Sequence, residues 1–419
     1  MGYSGDTEFI KEEKMKKKIS MLVAIVLALA MVAGLAACGD SGSGDSPSPP
    51  PAGNDSPPPQ DNTSPDPSPP EEPQHTQGWD TVPDAATIDD SLPGYDGPPD
   101  PDNLPNLHFT FAHQYPASHH HNTDVIIPYI EALMDAIPRL NIELVPGGVI
   151  STNNSVHDDI RYGMVDMMWA THGGAPGRYP LTEILEFPNL FSSAVEATRV
   201  IEHMMETYPP FASEFSHMKL FNIYTTEPGD IYTTKDIRVP ADLAGQRIRS
   251  PGPSGERSLT AAGAVTISLG MGDVYDAVGG IIDGLATSPS AITTYNLWEV
   301  VGYATNGMGL YVTPFFMGFS NAAWDMLTPR EQFIAMNVEI GGEAFNIHSA
   351  KMYDDLGVLG IENMRNFGMT VNDLTPDEQA QWLEAMSPVI EAYLVSLDER
   401  NIPGREFYDL VLAYRDSIR

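Results

Sequence analysis

The sequence predicts an α/β fold with a largely parallel sheet for residues 107–419. Short apolar runs alternate there with amphipathic helical stretches, the order typical of strand–helix–strand units. The run 164–170 is apolar enough for a strand buried on both faces, as parallel strands are. The second half of this region repeats the alternation, and the length of the chain allows about two to three domains.

The elements of the first half follow from the spacing of its apolar residues. Alternation predicts strands at 107–113 and 141–147, and helical spacing predicts a helix at 123–136. A capping box that begins at Ser193 marks the start of a helix over 193–208.

The second half contains three expected strands and two strong helix starts. The strands are at 246–250, 264–269 and 281–288. TPRE (328–331) and TPDE (375–378) each supply a Thr cap, Pro at the first helical position and Glu three residues after the cap. The first motif is expected to open a helix over 329–367, with the pair Gly341–Gly342 as its weak point. A helix of that length should lie across two domains.

The N-terminal part of the chain reads as a targeting signal. Lys16–Lys18 precede an apolar stretch, 21–38, whose end LAAC resembles a bacterial lipobox. In such signals the cysteine, here Cys38, becomes the lipidated N-terminus, so residues 1–38 are expected to be a lipoprotein signal peptide with a lipobox. Residues 1–14 precede the basic cluster, and both Met1 and Met15 remain open as the start of the signal. The alternative is a permanent anchor helix. Cys38 is the only cysteine of the chain, which excludes disulfides and a cysteine nucleophile.

Residues 39–106 are expected to form a disordered tether. Their Pro, Ser, Gly, Asn and Asp content cannot bury a core, and order is expected to begin near Leu107. The whole chain carries 57 Asp and Glu against 22 Lys and Arg, a net charge of -35. This charge argues against nucleic acid and anionic membrane surfaces as partners.

Two arginines stand out in AGQRIRSPGPSG (244–255). Alternate strand residues share a face, so Arg247 and Arg249 should point the same way. Arg249 lies at the carboxyl end of its strand, where open α/β sheets bind ligands, and a helix start at Ser254 would add N–H donors. A guanidinium can meet a carboxylate with two hydrogen bonds. The alternative is that both arginines pair with surface acids.

Several segments of the chain, in order, resemble a known family. They are HQYPASHHHN (113–122), RYPLTEILEFPNLF (178–191), VPADLAGQRIRSPGP (239–253), LGMGDVYDAVGGIIDG (269–284), YNLWEVVGYAT (295–305) and SNAAWDMLTPREQ (320–332). The family is the DctP family, the extracytoplasmic solute-binding proteins of tripartite ATP-independent periplasmic (TRAP) transporters. The resemblance covers nearly all of 107–419.

The resemblance implies a two-domain, periplasmic-binding-protein-like α/β fold with crossing hinge strands and a long domain-spanning helix. It implies closure over a small organic acid, TRAP membrane permease subunits as partners, and neither a cofactor nor catalysis. The expected domains are 107–231 with 315–350, and 232–314 with 351–419, with the helix 329–367 spanning both.

The resemblance also implies roles for individual residues of the second domain. Arg249 matches the arginine that binds the ligand carboxylate, whereas Arg247 is expected to be solvated. Some relatives carry a second cleft arginine near the position of Asp230 or Ile231, and its absence here favours a monocarboxylate. Thr287 or Ser288 would replace a cleft Asn. Met271 would either cover the ligand or belong to the core.

Candidates in the first domain lie near strand ends. Trp169 is either a cleft wall or a core residue, and His172 either bonds the ligand or orders its own loop. His113 ends the first strand at the same edge of the sheet. Tyr311 and Phe316 lie where the chain should cross back between domains, and would either stack on the ligand or fill the core.

Two other functions remain as alternatives. His113, His119–His121 and His172 could supply zinc ligands, although neighbours in a run point in different directions. A hydrolytic enzyme is disfavoured because GPSGE (252–256) lacks the pattern of a nucleophile elbow and no phosphate-binding loop is present. The sequence therefore predicts a lipid-anchored, extracytoplasmic receptor for a small organic acid and not an enzyme.

Overall fold

The computed structural model describes residues 94–101 and 103–419. The expected signal peptide, its Cys38 and most of the expected tether lie outside the described residues. Order begins before Leu107: Tyr95 is buried, with its ring centroid 5.4 Å from that of Phe333, and Asp100 accepts a hydrogen bond from Thr328. An aromatic ring and an N-capping threonine thus fix a segment whose composition alone indicated a tether.

The strands and helices confirm the α/β class. The strands are β1 (Leu107–Ala112), β2 (Leu140–Val145), β3 (Met167–Thr171), β4 (Met218–Thr225), β5 (Asp230–Thr233), β6 (Arg247–Ser250), β7 (Val265–Ser268), β8 (Gly284–Thr287), β9 (Tyr303–Asn306), β10 (Pro314–Ser320), β11 (Glu339–Ile340), β12 (Glu343–Ala344) and β13 (Thr370–Asp373). The α-helices are α1 (Ile127–Ala136), α2 (Val156–Arg161), α3 (Ala194–Thr207), α4 (Pro209–Ala212), α5 (Pro240–Leu243), α6 (Pro253–Ala261), α7 (Val274–Ala277), α8 (Pro289–Thr294), α9 (Asn321–Trp324), α10 (Pro329–Met336), α11 (Phe345–Asn366), α12 (Pro376–Glu399) and α13 (Gly404–Ile418). A π-helical turn, His121–Ile126, leads into α1.

Two sheets define two lobes. The first lobe is built on the order β2-β1-β3-β10-β4 and the second on β13-β9-β5-β8-β6-β7. The sheets are mixed rather than largely parallel, because β10 runs antiparallel to β3 and β4, and β5 runs antiparallel to β8 and β9. Parallel neighbours in a sheet are usually joined by a crossover helix. The chain instead enters β5 and β10 directly from the other lobe, so these two strands can run antiparallel to their neighbours.

Two short segments cross between the lobes and pair with each other. Gly229 N–H donates to Tyr311 O, and Leu310 N–H donates to Gly229 O, both at 2.8 Å. Thr226 N–H donates to Thr313 O at 3.1 Å. The crossing segments 226–229 and 307–313 therefore form a paired connection.

The expected helix 329–367 is broken in two. The helix α10 ends at Met336, and the hairpin β11–β12 precedes α11. Gly341 and Gly342 connect the hairpin strands with φ values of 64° and 80°, a left-handed conformation that suits a two-residue hairpin loop. The suspected weak point of a long helix is therefore a turn.

Two helices contribute to the cores of both lobes. In α11, Tyr353 packs with the first-lobe core and Met364 with the second-lobe core. In α12, Trp382 packs with the second lobe and Leu397 with the first. The last helix, α13, packs Phe407 with the first-lobe core, although 351–419 was expected to belong to the second domain.

Candidate ligand-binding site

Arg249 lies inside the second lobe at the carboxyl end of a strand. It is the third residue of β6, flanked by β7 and β8, both of which run parallel to β6. Only 8% of its surface is exposed. The carboxyl ends of these strands therefore meet around its side chain.

The guanidinium of Arg249 bonds only to neutral groups. Its Nε donates to Leu269 O at 3.0 Å and its Nη1 donates to Ala286 O at 3.1 Å. Among the described residues no carboxylate forms an ion pair with it, and burial lowers its pKa. A buried cation without an opposite charge is unfavourable unless something else compensates it.

Three tyrosines interact electrostatically with Arg249 and act on its pKa: Tyr115 from the first lobe, Tyr295 from the second, and Tyr311 from a crossing segment. Burial raises the pKa of all three phenols, that of Tyr295 to about 12, although the Arg249 charge opposes the rise. The hydroxyls therefore stay protonated and can donate hydrogen bonds to an anion. Tyr115 and Tyr295 were not predicted as site residues, although both lie in segments that carry the family resemblance.

Arg247 has different surroundings. Its Nη2 lies 2.7 Å from Asp283 Oδ1, and Asp283 Oδ2 also accepts from its backbone N–H at 2.9 Å. These bonds with Arg247 lower the pKa of Asp283 to about 2. The side chain of Arg247 is 39% exposed, in keeping with the expected solvated position, and its charge has a protein partner.

The candidate hydroxyls of the second lobe lie close to Arg249. Thr287 follows Ala286, whose carbonyl oxygen accepts a hydrogen bond from Arg249. Ser288 Oγ lies 3.2 Å from Ser290 Oγ, and both Thr287 and Ser288 are buried. Met271 is half-buried, two residues beyond the Leu269 carbonyl that accepts from Arg249.

The position of the missing second arginine has a structural role. Asp230 accepts backbone N–H bonds from Met308 at 2.8 Å and from Gly307 and Gly309, which shapes the start of the second crossing segment. Burial raises its pKa to about 6. No second cation stands at this position.

His113 and Trp169 have their polar atoms occupied within the first lobe. Tyr115 N–H donates to His113 Nδ1 at 3.2 Å, so His113 Nε2 carries the proton and donates to Asn122 Oδ1 at 2.8 Å. Trp169 Nε1 donates to Tyr224 at 3.2 Å, and its ring packs 4.7 Å from Tyr115. His113 is thus a structural histidine, and Trp169 supports Tyr115 from the core.

His172 lies at a contact between the lobes. Its Nε2 is 3.3 Å from Glu186 Oε2; burial lowers the pKa of His172, but the nearby carboxylates raise it above its usual value. Arg257 of α6 pairs with Glu183 at 3.0 Å, and Ser254 Oγ donates to Glu186 O at 3.3 Å. Ser254 thus links the lobes, whereas Gly252 occupies the cap position of α6.

Phe316 is a core residue. It is fully buried, and its ring packs 5.3 Å from Tyr179 and 5.2 Å from Phe215. Its neighbour Phe315 faces the other side of the sheet and packs 4.9 Å from Trp169. Alternation along β10 therefore turns Phe316 away from Trp169 and into the core of the first lobe.

The histidine run does not assemble a metal site. His121 Nε2 is 2.8 Å from the Tyr224 hydroxyl, while His119 Nε2 and His120 Nδ1 reach across to Tyr295 and Thr294 at 3.3 and 3.4 Å. No group of three or more His, Cys, Asp or Glu side chains in 94–101 and 103–419 is arranged to hold a metal ion. The zinc alternative is therefore unsupported. In the same part of the chain, no helix is both long and apolar enough to cross a membrane.

Comparison with known proteins agrees with this architecture. The family model for bacterial extracellular solute-binding protein, family 7 (DctP), matches residues 136–396. A solute-binding protein of Albidiferax ferrireducens is 25% identical over 260 residues, 58% of this chain and 72% of that protein.

Two solved structures share the fold. A marine-metagenome TRAP solute-binding protein specific for aromatic acids, in complex with metahydroxyphenylacetate, is 21% identical with a TM-score of 0.68, over 74% of this chain and 99% of its own. A TRAP solute-binding protein of Sulfitobacter with bound β-D-galacturonate is 19% identical with a TM-score of 0.61, over 74% and 100%.

The family model matches more than half of the chain, and the matched residues 136–396 include parts of both lobes. The relatives are binding components of transport systems and not enzymes. The chain therefore belongs to the DctP family, the extracytoplasmic solute-binding proteins of TRAP transporters.

Proposed function

We propose that this protein captures a small organic acid, a monocarboxylate rather than a dicarboxylate, by binding its carboxylate to Arg249 between the two lobes. The solved relatives hold an aromatic acid in one case and a uronate in the other. Both ligands are monocarboxylates.

The observation that carries the proposal is the uncompensated charge of Arg249. The side chain is buried and bonds to two carbonyl oxygens, and no described carboxylate pairs with it. A carboxylate would supply the missing negative charge and accept two parallel N–H bonds. Thr287 and Ser288 would add hydroxyl donors, and Met271 would cover the ligand.

Closure between the lobes supports capture. Contacts from His119 to Tyr295, from His120 to Thr294 and from Glu183 to Arg257 join the lobes in the described arrangement. The paired crossing segments 226–229 and 307–313 are short, so a closing motion of the lobes would be concentrated in these few residues, as in a hinge. A bound acid would favour the closed form, which membrane permease subunits would then recognise. Lipid on Cys38 would hold the receptor at the outer face of the membrane.

Native mass spectrometry of the purified full chain tests this function. We expect a co-purified small acid in a 1:1 complex that survives gentle desolvation and is not converted on incubation. A protein that carries no acid and is stabilised by none of a panel of monocarboxylates would contradict the proposal. Conversion of a bound acid into product would contradict the binding-protein function itself.

A further inference from the structure

Two neighbouring histidines of the first lobe, His119 and His120, reach the second lobe. His119 Nε2 lies 3.3 Å from the Tyr295 hydroxyl. His120 Nδ1 lies 3.4 Å from Thr294 Oγ1. His119 is 8% exposed, and the centroids of the two imidazole rings lie 4.2 Å apart. The contact between the lobes therefore contains two side chains that can gain a charge in weakly acidic solution.

The hydrogen bonds of His119 require a neutral ring. The backbone N–H of His121 donates to His119 Nδ1 at 3.1 Å, so this nitrogen carries no proton. The proton of the neutral ring is then on Nε2, which donates to the hydroxyl oxygen of Tyr295. A second proton, on Nδ1, would face the N–H of His121 and break the bond between them. Protonation of His119 therefore disrupts the described contact.

His120 has no acceptor for a second proton. Thr294 Oγ1 donates its hydrogen to Ser290 O at 3.0 Å, so its oxygen accepts from His120 Nδ1–H. The other ring nitrogen, Nε2, is buried without a hydrogen-bond partner among the described residues, and a proton there would be an unpaired buried donor. The ring packs against Tyr353 of α11 at 5.6 Å. Burial lowers the pKa of His120 to about 4, although the charge of Asp124 opposes this shift.

The surroundings of His119 also oppose a positive charge. The titratable groups that face it are phenols and imidazoles, namely Tyr115 and Tyr295, and His113, His120 and His121. A phenol is neutral at these pH values, and a neighbouring imidazole that takes up a proton adds a like charge. Burial, with help from His120 and His113, lowers the pKa of His119 to about 3.

We propose that His119 and His120 form an acid-sensitive latch that fastens the two lobes at neutral pH and releases them as the solution becomes acidic. This inference builds on the closure of the lobes that the proposed function includes, and it requires no particular ligand. Once the lobes separate, both rings would meet water, where an imidazole has its ordinary pKa of about 6.5. The open form then takes up protons more readily than the closed form, so acid shifts the equilibrium towards it.

Single-molecule fluorescence energy transfer on the ligand-free full chain tests the latch. The two dyes are attached through Val149→Cys of the first lobe and Tyr275→Cys of the second lobe, both exposed positions, in a chain that also carries Cys38→Ser. The measured quantity is the ratio of closed to open molecules. We expect this ratio to fall at least about tenfold between about pH 7.5 and about pH 5.

Matched variants identify the groups that titrate. The double variant His119→Gln/His120→Gln should reduce the change in this ratio to about twofold or less, because glutamine can form hydrogen bonds but gains no charge. His108→Gln replaces an exposed histidine of β1 and should leave the full pH response in place. Melting curves at both pH values verify that each variant is folded, so a lost response reports the latch and not unfolding.

The outcomes distinguish this inference from the proposed function. If the ratio of closed to open molecules is the same at both pH values, the latch is wrong. If the double variant keeps the full pH response, another contact between the lobes titrates, such as His172 beside Glu186, and the inference is also wrong. Neither result affects the receptor function, which fails only if no monocarboxylate binds.

Discussion

Arg247 and Arg249 lie two residues apart in the same strand, yet they have opposite electrostatic surroundings. Arg247 is partly exposed and forms an ion pair with Asp283 of its own lobe. Arg249 is buried, bonds to backbone carbonyls and faces phenols from both lobes. Both residues are arginines on the same face of β6. Their different positions along the strand decide that Arg247 has a permanent carboxylate partner and Arg249 has none among the described residues.

The largest expected effect separates these two arginines directly. Arg249→Ala should weaken binding of a carboxylate ligand by ~2–5 kcal/mol, a loss of about 30-fold or more, because it removes the partner of a buried charge. Arg247→Ala is the matched control and should change affinity by less than about threefold, as expected for an exposed ion pair. Calorimetry on both variants measures the difference, and equal losses would remove the distinction between the two positions.

A smaller effect on ligand affinity should come from pH. Both arginines keep their charge between about pH 5 and pH 7.5, so this effect has to come from other groups. Burial, with help from neighbouring histidines, lowers the pKa of His119 to about 3, and burial lowers that of His120 to about 4. When the lobes open, both should return towards the ordinary value of about 6.5. The closed form therefore binds fewer protons, so closure is favoured above about pH 6.5 and lost as the pH falls below it.

We expect ligand affinity to fall about tenfold between about pH 7.5 and about pH 5. The double variant His119→Gln/His120→Gln should flatten this profile, whereas Arg247→Ala should leave it unchanged. Affinities measured by calorimetry across this range provide the test. A profile that stays equally steep in the double variant would assign the titration to other groups.

The smallest effect concerns a third arginine, Arg257, on the helix that follows Arg249. Arg257 pairs with Glu183 of the other lobe at 3.0 Å, and it makes no described contact with the residues around Arg249. Arg257→Gln should lower affinity by about threefold, mainly through faster dissociation, because a partly exposed pair holds the lobes together only weakly. Stopped-flow dissociation rates measure this, and a loss as large as that of Arg249→Ala would place Arg257 in the ligand site.

Local signals in the sequence predicted much of the fold. The motifs that begin at Thr328 and Thr375 both form capping boxes, because cap, proline and glutamate act within one turn. The antiparallel direction of β5 and β10 was not predictable from local pattern, since it depends on where the chain changes lobes. The turn at Gly341–Gly342 was misjudged because a glycine pair is compatible with a flexible helix as well as with a hairpin.

The site was only partly predictable for a similar reason. Strand periodicity placed Arg249 at a sheet edge, and the structure shows it buried there. Tyr115 and Tyr295 lie in segments where apolar residues show neither helical spacing nor strand-like alternation. The direction of their side chains could therefore not be predicted from the sequence. His113 was expected at the correct edge of the sheet, but its hydrogen bonds with Tyr115 and Asn122 leave neither ring nitrogen for a ligand.

The position of the ligand carboxylate in a crystal structure of the full chain with benzoate, used as a probe monocarboxylate, tests the clamp most directly. We expect both carboxylate oxygens within about 3 Å of Arg249 nitrogens, with phenol hydroxyls donating to them. The same structure should show the Arg247–Asp283 pair unchanged. A carboxylate bound elsewhere, or Arg249 paired with an Asp or Glu of the protein, would contradict the clamp.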